Sequence, residues 1–226
     1  MSYSQCRFVR CMDAVTIVTL RDIWNVMRLI MWNISIDMNR TAVHEAGHFL
    51  MFLKEAIKCT TPLKNGTYYW TYDNFCEQHI IQLFIRPNIK DGLGGYFSHY
   101  NPTHIKYNDI NVNLGGMAAV YAFQKKKANF SKLNLWWYRF FEGCGGDIRK
   151  VKKSGISNTE IVRTVNELIS ELSNNDKVFI NEVISEISKA RHSNFPNLSH
   201  PKGILYKQHL KRLSNRYREI VKAKIL

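Results

Sequence analysis

Two histidines four residues apart, with a glutamate directly after the first, make NRTAVHEAGHFLMFL (residues 39–53) the stretch of this chain best suited to chemistry. On an α-helix His44 and His48 lie one turn apart on the same face, so both imidazoles can point at one ion. Glu45 projects about 100° away around the helix axis, which places its carboxylate beside a metal ion. There it can take a proton from a zinc-activated water. The HExxH spacing therefore predicts zinc ligands at His44 and His48 and a general base at Glu45.

The surroundings of this motif favour a buried helix. From the chain's own histidine and glutamate frequencies, one HExxH is expected by chance with a probability of roughly 1%. Ala46 and Gly47 are small enough for another segment to approach closely, and the continuation FLMFL is strongly apolar. The candidate N-caps of the helix are Asp37, Asn39 and Thr41. The alternative is a surface helix whose polar side chains bind no metal.

A catalytic zinc ion also needs a third protein ligand and an open position for water. Residues further along the chain with suitable side chains are His99, His104, Glu142, Cys144 and Asp147. Spacing alone leaves all five open.

Composition predicts one globular domain inside the cell. The 226 residues are 45% apolar and 12% aromatic, which is enough for a sizeable core. The five cysteines are scattered without a CxxC pair, and so fit neither a disulfide framework nor a cysteine-rich zinc finger. No signal-peptide pattern is visible at the N-terminus. We therefore expect a soluble, cytoplasmic protein.

The most apolar N-terminal run, residues 14–36, is interrupted by Arg21, Asp22 and Arg28. Each charge at the centre of a bilayer would cost roughly 2.5–3.5 kcal/mol on insertion scales. We therefore expect a buried amphipathic helix in this run and no transmembrane segment.

The net charge of +14 predicts attraction to an acidic partner, whether nucleic acid, anionic lipid or acidic polypeptide. The basic runs are residues 125–127, residues 149–153 and a C-terminal segment with Lys207, Lys211, Arg212, Arg216, Arg218, Lys222 and Lys224. Nucleic-acid binding is one interpretation of this charge. A solvated basic face is the favoured one, because no known nucleic-acid motif accompanies it.

Hydrophobic periodicity and turn residues predict a mixture of helices and a few strands. In chain order we expect a helix through AVHEAGHFLMFLKEAI, a loop or short hairpin over residues 59–78 around Asn65-Gly66, a strand HIIQLFIRP ended by Pro87, a turn KDGLGGYFSHYNP, a helix over residues 108–127, and helices to the end of the chain. The fold class is therefore mainly α with a small β-sheet, an α+β fold.

The C-terminal part has the spacing of three amphipathic helices. Ser157 and Glu160 have the spacing of a capping box. Three apolar stripes at helical spacing follow: Ile161, Val165, Leu168, Ile169 and Leu172; Val178, Phe179, Val183 and Ile187; and Tyr206, Leu210, Leu213, Tyr217, Ile220 and Val221. We expect a single domain over residues 1–226, with an N-terminal helical extension (1–38), a zinc-site core (39–155) and C-terminal helices (156–226).

Four segments in this order resemble those of the FtsH-type zinc peptidases, the proteolytic half of membrane-anchored AAA+ proteases. VHEAGHFL is similar to the family's zinc helix, and LFIRPNIKDGLGGYFSHYNP to its strand and following turn. VNLGGMAAVYAF resembles its Leu-Gly-Gly helix, and EGCGGDIRKVKK the segment with its third zinc ligand. The resemblance covers roughly residues 40–155, and it implies a helical FtsH-like peptidase domain with the HExxH helix at its core.

The resemblance implies roles for particular residues. It makes Asp147 the third Zn²⁺ ligand beside His44 and His48, with Glu45 as the general base. The strand HIIQLFI would hold an extended polypeptide by adding it as a further strand. The substrate-binding residues expected in this strand and the following turn are Ile85, Gly94, Gly95 and Tyr96.

The departures from the family's pattern define the expected activity. No GxxxxGK[ST] phosphate loop is found in the 226 residues, and we expect no family-type membrane anchor. Val120 stands where the family usually has a glutamate, and Gly146 where it commonly has an asparagine. An additional segment, KKKANFSKLNLWWYRFF, precedes Asp147.

The expected function is therefore ATP-independent zinc endopeptidase activity on flexible or unfolded polypeptide. The alternatives are a catalytically silent peptidase-like module that binds peptides or regulates a partner, and a basic nucleic-acid-binding protein. The sequence does not predict the oligomeric state.

Overall fold

The structure is a computed structural model, and it describes residues 40–60, 71–85, 95–102, 108–129, 144–190 and 203–223. Residues 39–226 form one compact unit. The expectations for residues 1–38, for Asn65-Gly66, for Pro87 and for most of the additional segment before Asp147 lie outside the described residues.

The described residues form mainly helices, together with a small antiparallel sheet. The elements are α1 (40–60), α2 (Tyr72–His79), β1 (Ile80–Ile85), β2 (Gly95–His99), α3 (Asp109–Phe123), α4 (Gly145–Lys153), α5 (Asn158–Glu171), α6 (Asn174–Ala190), β3 (Gly203–Tyr206) and α7 (Lys207–Lys222). The α+β prediction is confirmed at this level. Among these elements, no helix combines the length and the apolar character needed to cross a bilayer.

The sheet has the order β2-β1-β3, with β1 antiparallel to both neighbours. Leu83 pairs with Phe97 on one side and with Leu205 on the other. Leu83 and Leu205 are fully buried, so this face of the sheet packs on the core. The predicted strand corresponds to β1, but it begins at Ile80 because His79 ends α2.

Two strands were missed by the sequence analysis. β2 lies in the segment predicted as a turn, and β3 in the segment predicted to be helical. Both are short, at five and four residues, and neither has a clear alternation of apolar and polar side chains. Their extended conformation depends on pairing with β1, which local sequence does not encode.

The prediction of a loop or hairpin over residues 59–78 was wrong in its second half. The Thr71 hydroxyl accepts the backbone N–H of Asn74, which caps α2 and satisfies one of its free N–H groups. Tyr72, Phe75 and Cys76 form its buried face. Thr41 is likewise not the cap of α1, because residue 40 is already helical.

Helices α1 and α3 cross at unusually close range, as the small residues of α1 predicted. A Cβ atom on Gly47 would lie 2.6 Å from both the Cβ atom of Ala119 and the carbonyl oxygen of Gly115. A Cβ atom on Gly115 would lie 2.5 Å from the Cγ atom of Met51. Glycine at both positions therefore allows α3 to lie directly against the face of α1 that carries the two histidines.

The C-terminal helices anchor the other half of α1. The Asp176 carboxylate lies 3.0 Å from the Lys54 ammonium and accepts a hydrogen bond from the Tyr217 hydroxyl at 2.9 Å. Because Asp176 is buried, both contacts offset the cost of removing its charge from water. They tie α1, α6 and α7 together.

The predictions for these helices were largely confirmed. The capping box of Ser157 and Glu160 is present at the start of α5. Most of the residues in the three apolar stripes are buried or half-buried. Two are not: Val178 is 54% exposed, and Tyr206 is 45% exposed because it ends β3 and does not belong to α7.

Candidate metal centre

Helices α1 and α4 bring two imidazoles and one carboxylate to a single point. The Nε2 atoms of His44 and His48 lie 3.0 Å apart. The Oδ2 atom of Asp147 lies 3.1 Å from the first and 3.3 Å from the second. Asp147 is in the first turn of α4, where the helix dipole favours a negative charge.

These distances fit the ligand shell of a tetrahedral zinc ion. With zinc–nitrogen and zinc–oxygen bonds of about 2.0–2.1 Å, two ligand atoms of a tetrahedron are about 3.3 Å apart. Three Lewis-basic atoms converging at this spacing need a positive charge between them. A group of two histidines and one carboxylate can thus hold a metal ion, with a fourth position left for water or substrate.

The tautomer of His48 also fits metal binding. Its Nδ1 atom lies 2.6 Å from the carbonyl oxygen of Val112, and an Nδ1–H group donates to this acceptor. The backbone nitrogen of Gly116 is 3.3 Å from the same Nδ1 atom, which cannot accept its hydrogen while donating to Val112. We assign the shorter contact as the hydrogen bond. The lone pair of His48 Nε2 is then directed at the cluster.

Cys144 lies behind His44. Its sulfur atom is 3.9 Å from His44 Nδ1, on the opposite side of the ring from the Nε2 atom that faces Asp147. Cys144 is 3% exposed and precedes α4 without capping it through its side chain. It is therefore placed to orient the ring of His44 and not to complete the ligand set.

Replacing Cys144 by alanine is expected to weaken zinc binding by no more than about tenfold. The thiol does not bind the metal itself, and it forms only a weak hydrogen bond with the ring of a proposed ligand. The dissociation constant can be measured by competition with a zinc-sensitive dye. Cys76→Ala, which removes an equally buried thiol on α2, is the control and should leave the constant unchanged. Equal effects of both changes would contradict the role given to Cys144.

Glu45 lies beside the cluster with one oxygen unsatisfied. It is 4% exposed, and its Oε2 atom has no hydrogen-bond partner among the described residues. The backbone N–H of Phe97 in β2 donates to its carboxylate. Since a buried carboxylate oxygen is rarely left without a partner, the free oxygen marks a place for a water or substrate proton.

The charges of the cluster are strongly coupled. Burial raises the pKa of Glu45 above its ordinary value, against the opposing effect of His44 and His48. Burial alone would lower the pKa of His48, but the carboxylates of Asp147 and Glu45 outweigh it and raise the pKa to about 9. The two histidines hold the pKa of Asp147 well below its usual range despite burial. The carboxylates and imidazoles of the centre therefore strongly perturb one another's pKa.

Helix α3 forms a wall of the site through Gly116. A Cβ atom on Gly116 would lie 2.6 Å from His48 Nε2 and 2.7 Å from His44 Nε2. These are the atoms that face the proposed ion, so only glycine leaves room for it. Val112, one turn earlier, holds His48 through its carbonyl oxygen.

Replacing Asp147 by alanine is expected to lower zinc affinity by at least about 10²-fold, because only the two histidines of the ligand group remain. Zinc per chain after dialysis against metal-free buffer measures this. Asp109→Ala is the matched control, since Asp109 also stands in the first turn of its helix. Retention of one tightly bound zinc ion in Asp147→Ala would exclude Asp147 as a ligand.

Three of the five residues considered for the third ligand are described, and of these three only Asp147 lies in the cluster. His99 ends β2, where its ring stacks on Phe97, and its Nε2 atom lies 3.8 Å from Asp109. His104 and Glu142, like Gly94 among the expected substrate-binding residues, lie outside the described residues.

The expected strand addition at β1 is not possible. β1 is the central strand, and Ile85 within it pairs with Gly95 on one side and Gly203 on the other. Ile85 is also 3% exposed. Gly95 instead lies against Glu45, since a Cβ atom on Gly95 would be 2.9 Å from Glu45 Cγ. Tyr96 follows it with 44% exposure.

Gly146 and Val120, the two residues that differ from the pattern of the FtsH-type peptidases, have different surroundings. A Cβ atom on Gly146 would meet nothing within 4 Å, so no side chain is missed there. Val120 is buried, one turn after Gly116 on α3. Because residues four apart share one face of a helix, Val120 lies on the same side of α3 as Gly116.

Sequence reasoning missed three contributors to this centre: the carbonyl oxygen of Val112, the N–H of Phe97 and the space left by Gly116. Two are backbone groups, which leave no trace in residue type. For the space left by Gly116, the only signal in the sequence was the pair Gly115-Gly116 in VNLGGMAAVYAF. It was noticed only because this segment resembles one in the FtsH-type peptidases.

Among the described residues, His44, His48 and Asp147 form the one group of metal-ligand side chains with suitable spacing. Comparison of the chain with protein-family models, with curated proteins and with solved structures gives no match. The geometry of this centre is thus the observation on which a functional assignment rests.

Proposed function

We propose that the chain is an ATP-independent zinc endopeptidase of the FtsH type, acting on flexible or unfolded polypeptide. The observation that carries the proposal is the convergence of His44, His48 and Asp147 at zinc-ligand spacing, next to a buried Glu45 with a free oxygen. A metal ligand group with an adjacent carboxylate is the arrangement used to hydrolyse peptide bonds by activated water.

Bound zinc would supply Lewis acidity toward a water molecule and toward the scissile carbonyl. Glu45 accepts the proton of the attacking water at Oε2 and delivers it to the leaving amine. The Phe97 N–H holds the carboxylate in place during both transfers. The hydrogen bond from His48 Nδ1–H to the Val112 carbonyl orients the His48 ring for metal binding.

The sheet supports a substrate in extended conformation at β2. β1 is paired on both sides, which leaves β2 as an outer strand of the described sheet. The N–H of Phe97 and the backbone of Gly95 lie against Glu45, so a strand beside β2 would pass the general base. Only an unfolded or flexible segment can adopt this conformation.

Removal of the metal tests the proposal directly. Purified protein should cleave a labelled, chemically unfolded protein, lose this activity after treatment with a chelator, and regain it with one equivalent of Zn²⁺. Mg²⁺ should not restore it, because two imidazoles favour zinc over a hard cation. Gel electrophoresis and zinc content per chain are the measurements.

A second candidate function is a zinc-containing module that binds peptides without cutting them. The observation in its favour is that Val120, a buried apolar residue one turn after Gly116, stands where the family usually has a glutamate. One zinc ion per chain with no cleavage of any unfolded substrate would favour this function over the peptidase. Nucleic-acid binding stays a prediction from the net charge.

A further inference from the structure

The positive charge of the chain is distributed in two different ways. Most basic side chains of α7 are paired with acidic residues of α2, α6 or α7 itself: Lys211 with Glu77, Arg212 with Glu186, Arg216 with Glu182, Arg218 with Asp73, and Lys222 with Glu219. These pairs neutralise much of the helix. The basic C-terminal helix is therefore not the main source of the unbalanced charge.

Helix α4 differs, although it is short. Four of its nine residues are basic, and all four are exposed. Arg149, Lys152 and Lys153 have no ion pair with any described residue. The fourth, Lys150, has one such pair within the described part of the chain, with Asp147. Unbalanced positive charge thus lies on the helix that carries the third ligand.

Lys150 is the basic residue of α4 nearest the metal centre. It follows Asp147 by three residues, so the two side chains share one face of the helix, whereas Lys152 points about 140° away from Asp147. The ammonium nitrogen of Lys150 lies 4.0 Å from Asp147 Oδ1, the oxygen that faces away from the histidines. The Lys150 side chain is 66% exposed, and so its charge lies at the protein surface beside Asp147.

Metal binding would leave this ammonium without a full counter-charge. A zinc ion adds two positive charges, and Asp147 and Glu45 together can balance only those two. The attraction between Lys150 and Asp147 falls when the carboxylate binds the ion. A carboxylate on the substrate can then take its place.

We propose that Lys150 forms a carboxylate-binding subsite beside the metal centre, so that the protein selects polypeptide with an acidic group close to the scissile bond. The inference rests on the proposed function and names its substrate class. The acidic group is either an internal Asp or Glu side chain or the free carboxylate at the end of a chain. Both present the same chemistry to the ammonium.

Binding to an inactive, zinc-loaded protein tests this subsite without depending on cleavage. Zinc-loaded Glu45→Gln is titrated with labelled unstructured peptides that differ only in charge: one with internal Glu and an amidated C-terminus, one with Gln in its place, and the Gln peptide with a free C-terminal carboxylate. Fluorescence anisotropy gives the dissociation constants. We expect the Glu peptide to bind about two- to fivefold more tightly than its amidated Gln counterpart at low salt, with less difference at high salt.

Two charge-reversal variants on α4 distinguish a specific subsite at Lys150 from a general attraction of acidic peptides to the basic helix. Lys150→Glu should abolish or reverse the preference for the acidic peptide, whereas Lys152→Glu should retain it. Tighter binding of the free C-terminal peptide alone would identify a terminal carboxylate as the ligand. Equal binding of all three peptides, or an equal loss of preference in both variants, would overturn the proposal. Failure of the wild-type protein to cut any unfolded substrate would count against the peptidase and leave this result intact.

Discussion

Replacing Glu45 by glutamine is expected to reduce cleavage of an unfolded protein by about 10²- to 10⁴-fold while zinc content stays at the wild-type level. Glutamine has nearly the same shape, so its side-chain oxygen can still accept the N–H of Phe97. It cannot accept the proton of the attacking water. In the variant, an amide NH₂ group takes the place of the Oε2 atom, which has no partner among the described residues. This NH₂ group cannot act as a base. The initial rate of cleavage and zinc per chain, measured on the same preparation, give the two parts of this result.

Glu55→Gln is the matched control for this change. Glu55 lies on the same helix and is 5% exposed, close to the 4% of Glu45, but its carboxylate is bound by Lys58 and Asn111. Its replacement should affect stability without removing activity at permissive temperature. Unchanged cleavage by zinc-loaded Glu45→Gln would exclude Glu45 as the general base, and it would also contradict the second candidate function, which requires that no substrate is cut.

The parts of the site that lie within one helix were predictable from the sequence. His44, Glu45 and His48 are fixed relative to one another by helix geometry, which depends only on their spacing. Asp147 is separated from His44 by 103 residues, and no spacing rule reaches that far. It could be named only because an ordered set of segments resembled a known family.

The fold shows the same division between local and long-range determinants. Ser157 and Glu160 form their capping box from neighbouring residues, and so the start of α5 was predicted correctly. β2 and β3 form because each pairs with β1, which is distant from it in sequence. The β-propensity of a short segment does not contain information about such a partner. Because β1 is the central strand of the described sheet, we propose that an extended substrate binds beside β2 and not beside β1.

Replacing Gly116 by alanine is expected to lower zinc affinity by at least about tenfold. By intrinsic propensity alone, alanine would stabilise a helix by roughly 1 kcal/mol over glycine. Here its Cβ atom would lie 2.6–2.8 Å from three ring atoms of the two histidines, including both Nε2 atoms. Either the rings move apart or α3 moves away from α1, and both changes disturb the ligand spacing. Zinc affinity by dye competition and the midpoint of thermal unfolding report the two effects separately.

Gly146→Ala provides the matched comparison, because it makes the same chemical change one residue before a proposed ligand. Gly146 is exposed on α4, and a Cβ atom there would meet nothing within 4 Å. This variant should keep its zinc affinity and gain about 0.5–1 kcal/mol of stability from helix propensity. If Gly116→Ala instead bound zinc as tightly as Gly146→Ala, the ion could not lie between the imidazoles and α3. Because the two variants differ only in what surrounds the added methyl group, their comparison tests the position of the metal independently of catalysis.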